Sequence, residues 1–177
     1  MTYMRLSLAN KFVRMIWGVV WLCFYRPSPK NLHIWRRFLL RIFGAKIAAG
    51  VHPYPTSKVW APWNLTMESH SCLGEYVDCY NVAHICIGEY STISQYSYLC
   101  SASHDYSRAS MPLVVAPINI GKYVWITSDV FVGPNVNIAD GCVVTVRSTV
   151  LHDLPAWKIA QGNPAEPIKS RRFDYDT

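Results

Sequence analysis

No aspartate or glutamate occurs before Glu68 in this 177-residue chain, and charge of either sign is sparse: charged residues make up 16% of it, against about 25% in typical soluble domains. The acid-free stretch is not charge-free. Ten Lys/Arg lie between Met1 and Lys58, so the first third carries about +10 and the remainder about −4. Long apolar runs are also missing. Met15-Ile-Trp-Gly-Val-Val-Trp-Leu-Cys-Phe-Tyr25 spans eleven residues, short of the ~20 a membrane-crossing helix needs. It gives way to Arg26-Pro-Ser-Pro29 rather than to a small-residue cleavage site, which excludes a signal peptide. The six cysteines, at 23, 72, 79, 86, 100 and 142, lack the close pairing of a zinc site or a secreted disulfide framework. They read as reduced thiols of a cytosolic protein. With 51% apolar residues, disorder is excluded, and the length suits one domain.

A basic, acid-free lead suits phosphate, nucleic acid or an anionic membrane surface. Helix through the apolar run must end by about Tyr25, at the prolines. A second helix is expected over Leu32–Phe43, with Leu32, Trp35, Leu39 and Phe43 on one face, Arg36, Arg37 and Arg41 off it, and Gly44 as C-cap. These helices either pack on the main domain or a partner subunit, or lie at a lipid headgroup boundary. No recognition motif for nucleic acid accompanies the charge.

The remainder carries a period of six. Aliphatic residues stand at Ile120, Ile126, Val132, Ile138, Val144 and Val150, each followed by a small or turn-forming residue in most copies, with earlier copies at Ile87, Ile93 and Leu99, and before them Leu65, Met67 and Leu73. Neither a helix nor a continuous alternating strand has this period. Short strands with two inward residues, joined by turns and stacked as coils, do: a parallel β-solenoid. The phase slips by two residues between Leu73 and Ile87 and by three between Leu99 and Ile120. Insertions of this kind project as loops from one face, often the binding face, so chemistry is sought first in Ser101–Pro112, which contains His104 and Asp105.

The repeat resembles that of the hexapeptide-repeat acyltransferases, and the likeness is closest to the colanic acid biosynthesis acetyltransferases and other exopolysaccharide O-acetyltransferases. It rests on Arg26-Pro-Ser-Pro29, Trp35-Arg-Arg37, Phe43-Gly-Ala45, Trp60-Ala-Pro-Trp-Asn-Leu65, Tyr80-Asn81, Ser94-Gln95, Ser103-His-Asp-Tyr106 and Gly162-Asn-Pro-Ala165. The resemblance implies a left-handed parallel β-helix with eighteen residues per turn, a homotrimer, and transfer of acetyl from acetyl-CoA, without a metal, to a sugar hydroxyl in exopolysaccharide or surface-glycan biosynthesis. The expected organisation is a basic helical segment over 1–51, the β-helix over 52–155 with an inserted loop about 101–117, and a tail over 156–177.

A sugar hydroxyl needs a base as it attacks a thioester, and histidine titrates in the right range. His104 matches the family's catalytic histidine. Asn81 falls near an acceptor-contacting position of related enzymes, to bind sugar, to orient His104, or merely to make a turn. Asp105 is a candidate orienter of His104, and Asp78 a further acceptor candidate. Trp125, Thr127, Ser128 and Val146 match residues lining the pantetheine groove, with Thr127 standing where the family has Gly and Val146 where it has Ala. Pro164 belongs to the matching Gly-Asn-Pro-Ala stretch. Leu151-His152 and Glu166 depart from the family's phosphate-binding set, leaving Lys158, Lys169, Arg171 and Arg172 to meet the CoA phosphates. The acceptor is a glycan, lipid-linked in one reading, and the expected place is the cytoplasm, with residues 1–46 resting on the inner membrane face in that reading; nucleic acid is not an expected partner. Other readings are a serine-type acetyltransferase, a zinc enzyme of the same fold, an acyl relay through Cys100, and a scaffold without activity.

Overall fold

The six-residue period becomes a three-sided coil because two inward side chains fill one side of a triangle and the residues between them turn the corner. The computed structural model describes residues 2–172. Parallel strands stack into three faces. The first runs through Lys46–Ile47, Leu65–Met67, Ile85–Ile87, Ile118–Ile120 and Asn137–Ile138. His52–Pro53, Cys72–Leu73, Thr92–Ile93, Trp125–Ile126, Val143–Val144 and Lys158–Gly162 form the second, closed by the antiparallel return Ala165–Ser170. The third comprises Lys58–Val59, Asp78–Tyr80, Tyr98–Cys100, Phe131–Val132 and Thr149–Val150. Inward residues such as Met67, Ile87, Ile126, Val132 and Val144 form one continuous buried column. The coil thus starts before His52 and continues past Pro155, because Ile47 and Ala160 supply the same inward positions.

Corners require backbone in the left-handed region, which costs non-glycine residues about 1–2 kcal/mol each. At the edge between the first and second faces that position is filled by Gly50, His70, Tyr90, Tyr123, Gly141 and Trp157, all with φ between 55° and 71°. The side chains offset the cost by stacking. His70 lies 4.9 Å from Tyr90, and Tyr90 5.3 Å from Tyr123, with the rings nearly parallel. A Cβ on Gly50 would meet His70 Nδ1 at 2.5 Å, and one on Gly141 would meet Trp157 Cε3 at 2.3 Å, so glycine stands where a ring from the next coil lies flat on the backbone.

The coils are not all eighteen residues long. Asp78 pairs with Lys58 and Tyr98, each twenty residues away, whereas Phe131 pairs with Thr149 at eighteen. Every extra residue sits at the edge where the third face turns into the first, called here the insertion edge. Three insertions occur there rather than two. The additional one, between Val59 and Met67, contains the short helix Pro62–Asn64 and breaks the period ahead of the copies that reveal it.

Helix α1, Leu8–Val20, begins seven residues before the apolar run, where Ser7 Oγ accepts from Asn10 N at 3.1 Å, and it widens into a π-helical turn over Trp21–Tyr25 before Pro27. Helix α2, His33–Ile42, ends at Gly44, whose φ is +87°. Both cover the open end of the first coil, and their donors saturate it. Arg41 donates to Ile47 O at 2.6 Å, Arg36 Nε to Pro53 O at 2.7 Å, Trp21 Nε1 to Ser57 O at 2.9 Å and Trp17 Nε1 to Val59 O at 2.7 Å. This corrects the expected face of α2. Leu32 is exposed and Arg36 is fully buried, because an unpaired sheet end offers carbonyls that only a donor can satisfy. The remaining nitrogens of Arg36 donate to Ser28 Oγ, Pro29 O and Lys30 O, which closes the Arg26-Pro-Ser-Pro29 turn.

Candidate active site

The largest insertion forms a hairpin, Ala102–His104 against Leu113–Val115, rising from the insertion edge. Thr2–Tyr3 adds a third antiparallel strand to it, with Thr2 opposite Val115. His104 ends the first hairpin strand, exposed. Its Nδ1 lies 2.6 Å from Met111 O. A carbonyl can only accept, so Nδ1 carries the proton and Nε2 is left with a free lone pair. The imidazole is thereby oriented and held in the tautomer a general base needs.

Met111 holds a left-handed backbone, φ 40°, that turns its carbonyl to the ring. Nothing in the sequence marks it, because its contribution is a main-chain oxygen. Asp105, the expected orienter, points elsewhere. Its carboxylate accepts from Tyr3 OH at 2.7 Å and from Ser107 Oγ at 2.5 Å, and it pairs with Arg108 Nε at 3.4 Å. These contacts, Ser107 first, hold the carboxyl below its usual range, while the same bond to Asp105 raises the Tyr3 phenol. Asp105 braces the loop tip and makes no bond to His104 among the described residues. Asp105 lies just past the strand's last residue, where the chain turns and carries its carboxylate to the loop tip.

Asn81 stands on the same edge, one coil away. It is fully buried; its Oδ1 accepts from Ala61 N at 2.9 Å and its Nδ2 donates to Ala61 O at 2.6 Å. Both ends of the amide are committed to neighbouring backbone, so the side chain locks two insertions together and does not face a ligand in this chain. Asp78 is partly buried in the third face beside Lys58, and burial raises its carboxyl. Cys100 is buried, its Sγ directed to Ala102 O at 3.1 Å, and it packs beneath the hairpin.

The residues matched to a pantetheine groove lie elsewhere on the prism. Trp125 is half exposed on the second face, its Nε1 bonded to Ser94 Oγ at 2.9 Å. Thr127, Ser128 and Val146 occupy the turns from the second to the third face, and Thr127 Oγ1 is turned to Val144 O at 2.8 Å. Trp125 also borders an open groove of about 610 Å³ with Tyr90, Thr92, Tyr123, Val124 and Arg171. Arg171 donates to Tyr123 O and Gly141 O at 2.7 and 3.0 Å, and so ties the C-terminal return to the aromatic column. Lys158 Nζ reaches Ser170 Oγ across the return strands, while Pro164, Lys169 and Arg172 are exposed. Within one chain, therefore, His104 and the Trp125–Val146 set project from different edges.

A stacked hexapeptide coil with an oriented histidine on an inserted hairpin and a separate groove of aromatic and small side chains fits one class, and the chain belongs to the hexapeptide-repeat acetyltransferases. Within that class it is 44% identical over 162 residues, 92% of this chain and 89% of the other, to the "Putative colanic acid biosynthesis acetyltransferase WcaF" of Escherichia coli (strain K12). Among solved structures, a hexapeptide-repeat-containing acetyltransferase from Vibrio cholerae complexed with acetyl coenzyme A superposes with a TM-score of 0.84 at 24% identity, covering 94% of this chain and 91% of that one. A maltose O-acetyltransferase from Clostridium difficile superposes with a TM-score of 0.75 at 20% identity, covering 94% and 90%. No protein-family model matches the chain.

Proposed function

We propose that the protein transfers acetyl from acetyl-CoA to a sugar hydroxyl during exopolysaccharide or surface-glycan synthesis in the cytoplasm. The observation that carries this reading is the Met111 O···His104 Nδ1 bond, which leaves Nε2 as an exposed, oriented base. Acetyl-CoA supplies the activated acyl group as a thioester. His104 Nε2 takes the acceptor hydroxyl proton as the oxygen attacks the acetyl carbonyl carbon. The C–S bond then breaks, and His104 returns the proton to the departing thiolate, so no net proton is lost. Backbone N–H groups stabilise the carbonyl oxygen as charge develops.

Trp125, Thr127, Ser128 and Val146 form the wall for the pantetheine arm, and Lys158, Pro164, Lys169 and Arg171 stand toward the nucleotide end. The groove beside Trp125 fits such a ligand in kind: flat aromatic side chains, a small Thr92 and a guanidinium at its rim. Because this wall and His104 lie on different edges, a complete site forms between neighbouring copies of a homotrimer, the hairpin of one facing the groove of the next. Asn81 and Asp105 serve as positioning residues that fix the insertion edge and the hairpin tip. The colanic acid biosynthesis role named for the 44%-identical relative supports the acceptor class.

The test is release of free CoA thiol from acetyl-CoA with a panel of nucleotide sugars, oligosaccharides and lipid-linked saccharides. Acceptor-dependent release with a glycan, and none with serine, is the expected result. Absence of CoA binding would favour a scaffold and overturn the reading.

A further inference from the structure

Helix α1 is apolar on two sides, and the coil covers only one. Trp17 faces inward and is buried, whereas Phe12, Met15, Val19 and Leu22, at helical spacing, run along the outside, joined by Phe38 and Ile42 of α2; all six are 50–60% exposed. The two helices present one surface, because Trp35 donates to Phe24 O at 2.9 Å and stacks on Phe38 at 5.7 Å. A second apolar face of this extent, left exposed, marks an interaction surface.

Charge identifies the cover. No acid occurs before Glu68, and the cations that remain after Arg36 and Arg41 are spent on carbonyls include exposed Arg5 and Lys11. A second copy related by a two-fold axis would bring this cationic surface against itself with no carboxylate to meet it. An anionic headgroup layer meets both requirements, apolar depth and negative charge. No helix among the described residues is long and apolar enough to cross a membrane, so the helices would lie in the interface.

We propose that the outer face of α1 and α2 seats on an anionic lipid bilayer. The consequence for the active site follows from chain connectivity. Four residues separate α1 from Thr2–Tyr3, the strand that pairs with the His104 hairpin and places Tyr3 OH on Asp105. Docking therefore holds the base close to the membrane, within reach of a saccharide carried on a lipid; this last step rests on the sugar-transfer reading above.

The test uses the full chain and flotation with vesicles of phosphatidylcholine alone and of phosphatidylcholine mixed with phosphatidylglycerol, with analytical ultracentrifugation and acetyl transfer to a water-soluble acceptor alongside. Wild type should float with the mixed vesicles and stay behind with the neutral ones. Replacing Phe12, Val19 and Leu22 together by Ser should weaken binding by about tenfold or more with transfer to the soluble acceptor unchanged, which also shows that the variant folds. Arg5→Glu with Lys11→Glu should weaken binding and flatten its salt dependence. Equal binding to neutral vesicles, no binding to either, or a triple Ser variant that changes only oligomer size would each overturn the proposal. Vesicle binding without acetyl transfer to any acceptor would leave docking supported and refute the sugar-transfer reading alone.

Discussion

Two edges of the prism solve different problems with the same coil. At the edge between the first and second faces, every turn is short and its left-handed residue joins a single column from Gly50 to Trp157, so each coil copies the one beneath it. At the insertion edge, each turn before Ile118 carries extra residues, and the copies differ: a short helix at Pro62–Asn64, a buried amide at Asn81, a hairpin bearing His104. Regular turns make structure that any coil could share. Irregular ones supply side chains that need not repeat, and His104, the base proposed above, stands on the largest of them. The open end of the first coil adds a third case, since its carbonyls are met by arginine and tryptophan donors from the basic lead.

Mixing variants separates the roles of the two edges with the largest effect. His104→Ala removes the proposed base, and Val146→Trp crowds the wall proposed for the pantetheine arm on another edge. If the site is shared between copies, each homotrimer should lose most of its turnover, and a refolded mixture should recover part of it, read as CoA release per subunit. A mixture no more active than its parents would return both halves of the site to one chain. Arg36→Met tests the end cap. It leaves the Pro53, Pro29 and Lys30 carbonyls without this donor, and the expected loss is about 3 kcal/mol or more, measured from the urea midpoint. An effect below about 1 kcal/mol, the worth of a single net hydrogen bond, would mean water replaces the guanidinium.

Asn81→Ala separates locking from substrate contact. The Ala61 N–H and C=O lose their partners at a cost of about 1–3 kcal/mol, while KM for the acceptor should change little in the folded variant. A large rise in KM with unchanged stability would restore Asn81 to the acceptor site. The smallest effect is a pH dependence. Burial lowers the His33 imidazole below its ordinary 6.5, so the unfolded chain takes up the proton first as pH falls. Stability from this group is complete above about pH 6.5, the unfolded value, and is lost as pH falls through the lower folded one. Urea midpoints across that range should decline, and His33→Gln should flatten the slope; an unchanged slope would remove His33 as the cause.

The coil was legible from Ile120 to Val150 because those turns insert nothing, and His104 was legible because it falls inside a break in that period. The slip at Trp60–Asn64 was not, since only the coils above it define the phase it departs from. Arg36 read as a surface cation because helical periodicity sees side-chain polarity and not the carbonyls of an unpaired sheet end. Met111 and Tyr3 were beyond reach for a related reason. One acts through its main chain, and the other through a two-residue strand paired more than a hundred positions away.

The claim that His104 Nε2 is the base is tested most directly by comparing wild type with His104→Ala at saturating acetyl-CoA and acceptor. The expected result is a fall in kcat of about 10²–10⁴-fold with CoA binding retained. A variant that binds CoA and turns over at the wild-type rate would contradict the account.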